Sequence, residues 1–252
     1  MTIINNNIQS NDIYSMPGIL RKMRMSSMAK ALEEKLSSPN CNLFAVQSEL
    51  SEIILAEFNT RRANKVNKLI KDAGLKMPDA DIEDLYTECG RSMNMDILNQ
   101  MLRCDWIKEK KNLIITGKAG TGKTNIACAL GGCAIQRGMS VFYVKASLMI
   151  NDLCEYQLTG DYKDYLKTYT DPKLLIIDDF GLMSLDISRC LHLFEVLDAR
   201  EGEGSILVIS QIPVAKWYDT FQNSVYADAC MSRLTHNSYR LEMNGKDMRR
   251  SS

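Results

Sequence analysis

Leu113-Ile114-Ile115-Thr116-Gly117-Lys118-Ala119-Gly120-Thr121-Gly122-Lys123-Thr124 is the stretch from which the fold can be read. Its first four residues are apolar or β-branched, the signature of a short buried strand. The next eight match G-x-x-x-x-G-K-[ST] at every specified position, and a helical pattern over 123–137, ended by Gly138, follows. A strand before and a helix after is the context this motif requires. Glycines let the backbone curl so that successive N–H groups point inward at phosphate oxygens. The start of the helix adds the positive end of its dipole. The stretch therefore predicts a cradle for the phosphates of a nucleotide. Gly117, Lys118, Ala119, Gly120, Thr121 and Gly122 form the loop, and Lys123, Thr124 and Asn125 continue it into the helix. Lys123 is expected on the β- and γ-phosphates and the Thr124 hydroxyl on Mg²⁺, so ATP and Mg²⁺ are the expected ligands.

Moving outward, Leu174-Leu175-Ile176-Ile177 is a second apolar strand, and it ends in Asp178-Asp179. A carboxylate at the carboxyl end of a buried strand projects into the crevice where such sheets bind ligands. Asp178 is the expected Mg²⁺ partner, and Asp179 is the candidate that orients or activates the attacking water. Ile206-Leu207-Val208-Ile209 leads into Ser210-Gln211. In a parallel sheet this strand should end beside the Asp178 strand. Ser210 or Gln211 then either contacts the γ-phosphate and the water or caps the strand. Asp179-Phe180-Gly181 spells a protein-kinase triplet, but no H-R-D catalytic loop accompanies it and the phosphate loop is of the other type.

Between these motifs, apolar strands (113–116, 141–144, 174–177, 206–209, 239–243) alternate with helical patterns (123–137, 148–158, 187–200, 226–234), preceded by a helix over 96–108. Continuous apolar strands alternating with helices predict an α/β fold, a parallel sheet sandwiched by helices. The texture upstream differs. Residues 1–15 read as a leader, 19–36 as one helix, and 44–73 as a long helix stopped by Gly74 and Pro78. The expected organisation is a small all-helical module over 1–78 and a nucleotide-binding domain over 79–252, with no additional C-terminal lid domain.

Hydrophobic residues make up 45% and charged residues 25% of the 252, which is the composition of a globular protein rather than a disordered one. Lys plus Arg equals Asp plus Glu at 31 each, which excludes a chain coated in positive charge but not one with a local basic face. The eight cysteines form no C-x-x-C pair, so neither a zinc ribbon nor a redox pair is expected. No apolar run is long enough to span a bilayer. Free thiols and the lack of a secretory pattern point to the cytoplasm. Arg61, Arg62, Lys65, Lys68 and Lys71 recur at helical spacing in the long N-terminal helix. They are a solvated face or a stripe that grips nucleic-acid phosphates; no aromatics interleave, so base stacking is not indicated. Arg233, in a helical stretch near the C-terminus, is a surface ion-pair residue or a finger reaching a neighbouring subunit's nucleotide.

Taken together, these motifs resemble the IstB/DnaC-like branch of the AAA+ ATPases, and IstB-type transposition helper proteins most closely. The resemblance rests on Met28-Ala29-Lys30-Ala31-Leu32-Glu33-Glu34, the basic helix, Asp105-Trp106-Ile107, residues 117–124 and 174–181, and Ser210-Gln211-Ile212-Pro213 followed by Trp217. Its most specific part is the tail: residues 228–233, His236-Asn237-Ser238-Tyr239-Arg240 and Asn244-Gly245-Lys246-Asp247-Met248-Arg249.

The resemblance implies an ATPase that assembles as an ATP-bound homo-oligomer on double-stranded DNA, with ATP between protomers, and assists a transposase. It implies the catalytic acidic position for Asp179, the first sensor position for Gln211 with Ser210 beside it, and the arginine finger for Arg233. It also turns the basic stripe toward DNA binding. Asp179 stands where this superfamily more often has Glu; one methylene fewer predicts slow hydrolysis. Arg249 is a candidate second sensor. The rival readings are a DnaC-like helicase loader, a nucleotide-dependent DNA-binding scaffold with negligible turnover, and a metabolic P-loop kinase.

Overall fold

The apolar runs become five strands: β1 (Asn112–Gly117), β2 (Val141–Lys145), β3 (Leu174–Asp178), β4 (Ser205–Ser210) and β5 (Ser238–Met243). In this computed structural model, which describes residues 13–38, 43–81 and 94–244, they form one sheet in the order β2-β3-β4-β1-β5 with every pairing parallel. β3 and β4 are buried along their whole length, as expected of central strands covered on both faces. The register sets Ile177 opposite Val208 and Thr116 opposite Ser210. The ends of the acidic strand, the phosphate-loop strand and the Ser210 strand thus lie side by side.

Ten α-helices are present among the described residues: α1 (Met16–Lys22), α2 (Ser26–Leu36), α3 (Leu43–Ala73), α4 (Met95–Leu102), α5 (Asp105–Lys108), α6 (Lys123–Gln136), α7 (Ala146–Thr159), α8 (Tyr162–Thr170), α9 (Ile187–Arg200) and α10 (Ser224–Thr235). Because strand side chains alternate, Leu113 and Ile115 enter one core with Ile126 and Leu130 of α6 and Leu98 of α4. Ile114 enters the other with Met149 of α7, Leu193 of α9 and Cys230 of α10. Buried Arg200 staples one end of the sheet, donating to the carbonyls of Tyr169, Thr170 and Ser205. Burial without a counter-charge pushes its guanidinium down to about 10.

Some sequence expectations change. The single helix over 19–36 is two helices, broken at Met23-Arg24-Met25 where Arg24 turns left-handed (φ 60°). The helix over 96–108 is likewise α4 and α5, divided by Cys104 at φ 59°. α8 was not anticipated. Its buried stripe, Tyr162, Tyr165, Leu166 and Tyr169, has helical spacing but is mostly aromatic, so it does not stand out as aliphatic periodicity. Residues up to Lys65 and from Val66 onward form two compact units. The first has its own core of Ile13, Met16, Ile19, Leu20, Met23, Ala29, Leu32 and Ile54. Ile13 is already buried, so residues 13–15 do not belong to the leader read over 1–15; residues 1–12 lie outside the described part. No helix among the described residues is long and apolar enough to cross a membrane.

His192 on α9 is buried in the second unit beside Tyr162 and Glu195. Tyr162 donates to Glu195, so His192 Nδ1 donates to the Tyr162 oxygen at 3.0 Å, and Nε2 carries a lone pair with no partner. Desolvation lowers the His192 pKa, Glu195 only partly opposing it. In the unfolded chain His192 takes up a proton from pH about 6.5 downward; the folded protein resists until lower pH. This residue's contribution is thus fully present above about pH 6.5 and is lost as pH falls toward the depressed folded value. Thermal unfolding between pH 5 and 7.5 should show a fall in Tm below pH about 6.5. His192→Gln should flatten that fall, and an unchanged slope would discard the assignment.

Candidate nucleotide-binding site

The phosphate loop leaves β1 at Gly117 and enters α6 at Lys123. Gly117, Gly120 and Gly122 have φ of 153°, 76° and 85°. At Gly117 the requirement is close approach as well. A Cβ there would lie 2.3 Å from the Met243 carbonyl oxygen of β5. Thr121, almost fully buried, ties the loop internally by donating to the Lys118 carbonyl at 2.9 Å. Lys123 is 6% exposed, and its ammonium donates to the Gly117 and Lys118 carbonyls, both at 2.7 Å. Its cation is thereby held over the concave side of the loop.

Across from the loop stands the end of β3. Asp178 is buried, and its Oδ2 accepts from the Thr124 hydroxyl at 3.0 Å. The two predicted metal-binding groups are therefore in contact. A hydroxyl and a carboxylate are hard oxygen donors, the kind Mg²⁺ takes together with phosphate oxygens and water. Asp179 sits at φ 57°, a left-handed turn that Asp tolerates better than most residues. Its N–H donates to Asp178 Oδ1 at 2.7 Å. Its carboxylate is one-third exposed and lies 3.4 Å from Gln211 Nε2 and 3.6 Å from Lys145 Nζ.

Of the Ser210–Gln211 pair, only Gln211 faces this carboxylate. The buried Ser210 hydroxyl is occupied elsewhere. It donates to the Phe180 carbonyl at 2.7 Å and accepts from the Ile212 N–H at 3.0 Å and from Trp217 Nε1 at 3.2 Å. Ser210 thus shapes the turn after β4.

Arg233 stands at the other end of the sheet. Its backbone carbonyl accepts from Asn112 Nδ2, at the first residue of β1, whereas the phosphate loop begins at the last. Five residues of strand separate the two, about 16 Å. Its guanidinium is engaged by Asp198 at 2.5 Å and Glu201 at 3.3 Å and lies 4.6 Å from the centre of the Phe194 ring. Arg240 is exposed on β5, the edge strand. Arg249 lies outside the described residues.

On α3, Arg61, Lys65, Lys68 and Lys71 fall within about 120° of helical arc, and all four are exposed. Arg61 also pairs with Glu57 at 2.6 Å and donates to the Met23 carbonyl. Arg62 is partly buried, and by helical spacing it falls outside the arc of the other four.

Two residues at the site were not singled out from sequence. Tyr143 donates to Asp178 Oδ2 at 2.6 Å, and Lys145 pairs with Asp179. Burial pushes the Tyr143 phenol far above its ordinary value, and the Asp178 carboxylate beside it adds to the shift. Both residues lie on β2, and only the pairing of β2 with β3, with Lys145 opposite Asp178, makes them neighbours of the acidic pair.

Comparison with known proteins identifies the family. The family described as IstB-like ATP binding protein matches residues 18–252. A protein of Sinorhizobium fredii named as an insertion sequence ATP-binding protein is 33% identical over 92% of this chain and 93% of its own length. Among solved structures, DnaI superposes with a TM-score of 0.52 at 22% identity, covering 72% of this chain and 92% of that one. The DnaC helicase loader gives 0.52 at 18% identity, covering 60% and 88%. At these identities the two structures speak for the fold alone.

The contact at Gly117 gives a direct check. Gly117→Ala should force the loop away from β5. Overpacking of this kind costs about 1–3 kcal/mol, readable by denaturant unfolding, together with weakened nucleotide binding. Wild-type stability and affinity would show that the loop does not need this approach.

Proposed function

The chain belongs to the IstB-like ATP-binding protein family, and from that premise we propose that it is an ATP-hydrolysing regulator that assembles on duplex DNA and assists a transposase. The single observation that carries the reading is the separation of the site's parts. Lys123, Thr124, Asp178, Asp179 and Gln211 converge at the carboxyl end of the sheet, whereas Arg233 is held at the amino end of β1. At that distance Arg233 cannot serve its own phosphate loop, which supports a role on a neighbour's nucleotide, with ATP between protomers. The relative's name places it with an insertion sequence, which favours a transposase as the partner here.

In this mechanism the loop N–H groups and Lys123 hold the β- and γ-phosphates, and Thr124 and Asp178 hold Mg²⁺. Bound Mg²⁺ neutralises charge on the phosphate oxygens. Asp179 orients the attacking water and accepts its proton, while Gln211 reads the γ-phosphate from beside it. Asp179 is short and is also engaged by Lys145, so its carboxylate must leave that ion pair to reach a water. Slow turnover follows, with hydrolysis timing disassembly. Arg233 likewise leaves Asp198 and Glu201 to act on a neighbour. The exposed Lys65, Lys68 and Lys71 grip DNA phosphates without reading sequence.

Phosphate release measured with and without duplex DNA tests this reading. DNA should raise turnover, Lys123→Ala and Arg233→Ala should each lower it by about 100-fold or more, and mixing the two variants should restore part of it. Turnover indifferent to DNA, or wild-type behaviour of Arg233→Ala, would sink the shared-site mechanism. The DNA surface has its own check. Neutralising Lys65, Lys68 and Lys71 together should reduce the slope of log affinity against log salt by about 2–3. An unchanged slope would move the DNA contact elsewhere.

A further inference from the structure

Asp178 has two carboxylate oxygens, each able to accept about two hydrogen bonds. Oδ2 receives two donors, Thr124 Oγ1 at 3.0 Å and Tyr143 Oη at 2.6 Å. Oδ1 receives one, the Asp179 N–H at 2.7 Å. Oδ2 is therefore saturated, and accepting capacity remains on Oδ1. The shorter of the two bonds to Oδ2 comes from Tyr143, which is not on the phosphate loop or on β3 but on the neighbouring strand β2.

Tyr143 is well placed to hold that position. It belongs to the face of β2 that packs against the α6 core, so its ring is anchored among apolar side chains while its hydroxyl reaches the strand end. Its backbone is paired opposite Ile176, two residues before Asp178 on the same face of β3. It has no contact with the phosphate loop among the hydrogen bonds described, so it acts through Asp178.

Resting on the nucleotide and Mg²⁺ reading above, we infer that Tyr143 is a positioning residue for the metal site: its hydroxyl, with that of Thr124, saturates Oδ2 of Asp178 and turns Oδ1 toward the ion's hydration shell. A group that orients a metal-binding carboxylate from behind contributes to metal affinity without touching the metal, and loss of such a partner costs about 10–100-fold. Tyr143→Phe keeps the ring and its packing and removes only the donor. Oδ2 then has a free acceptor site, and the carboxylate can rotate about its χ2 axis, a broad torsion with no strong preference of its own.

The experiment is a Mg²⁺ titration of the full chain at fixed concentration of a fluorescent ATP analogue, read as binding rather than turnover, with a parallel titration of the analogue in EDTA and a thermal melt. For Tyr143→Phe, the Mg²⁺ concentration for half-maximal tight binding should rise by about 10-fold or more, with affinity in EDTA unchanged and Tm lowered only by the loss of one hydrogen bond. A Mg²⁺ midpoint equal to wild type would overturn the inference and leave the nucleotide site standing. Weaker binding in EDTA with a lowered Tm would overturn it too, since Tyr143 would then be a packing residue. Wild-type protein showing no Mg²⁺-dependent binding would overturn the nucleotide reading itself.

Discussion

The parallel pairing of β1, β3 and β4 is the constraint on which the rest depends. Strands that run the same way end at the same edge, so whatever follows each strand is brought together there. A phosphate loop follows β1, an acidic pair closes β3, and Gln211 follows β4. None of these segments adjoins another in the chain. Had one strand run antiparallel, its terminal residue would lie at the far edge, and no change of side chain could restore the site. The helices that return the chain between parallel strands also supply the two cores and, at the start of α6, the positive dipole end facing the loop.

At that edge two adjacent carboxylates are given different work by their hydrogen bonds. Asp178 is buried and accepts from a hydroxyl, a phenol and a backbone N–H, which leaves it little freedom. Asp179 turns left-handed, stays partly exposed and meets two exposed side chains, Gln211 and Lys145, at longer distances. One is held by three hydrogen bonds and the other only loosely. This is the division expected between a group that helps hold a cation and one that handles a water. It is imposed by neighbours rather than by residue type, since both are aspartates.

The opposite edge has a comparable arrangement. Arg233 is restrained by Asp198 and Glu201 and lies against Phe194, while its backbone is tied to Asn112. Asn112 also accepts from the Ile206 N–H, so one side chain joins the starts of β1 and β4 to the end of α10. The fold thus positions Arg233 firmly, yet away from the phosphate loop of the same chain. A site shared between copies is the reading that gives both edges a purpose.

The sequence by itself determined the α/β class, the phosphate loop, the acidic strand end and the existence of the long basic helix. These are properties of contiguous residues. A strand announces itself by an apolar run and a loop by its glycines, and both survive without knowledge of neighbours. It set the Ser210 strand beside the Asp178 strand, as found, but did not place β2, and so it was silent on Tyr143 and Lys145, whose importance comes entirely from β2 lying beside β3. It offered Ser210 and Gln211 as equals, and the buried turn around Phe180 and Trp217 separated them. It grouped Arg62 with the basic stripe, and helical geometry set it outside the arc of the other four. It missed α8 and the breaks at Arg24 and Cys104, because an aromatic stripe and left-handed non-glycine residues leave little mark on periodicity. Side-chain chemistry is written along the chain, but hydrogen-bond partners are chosen across it, and only the packed sheet brings those partners within reach of one another.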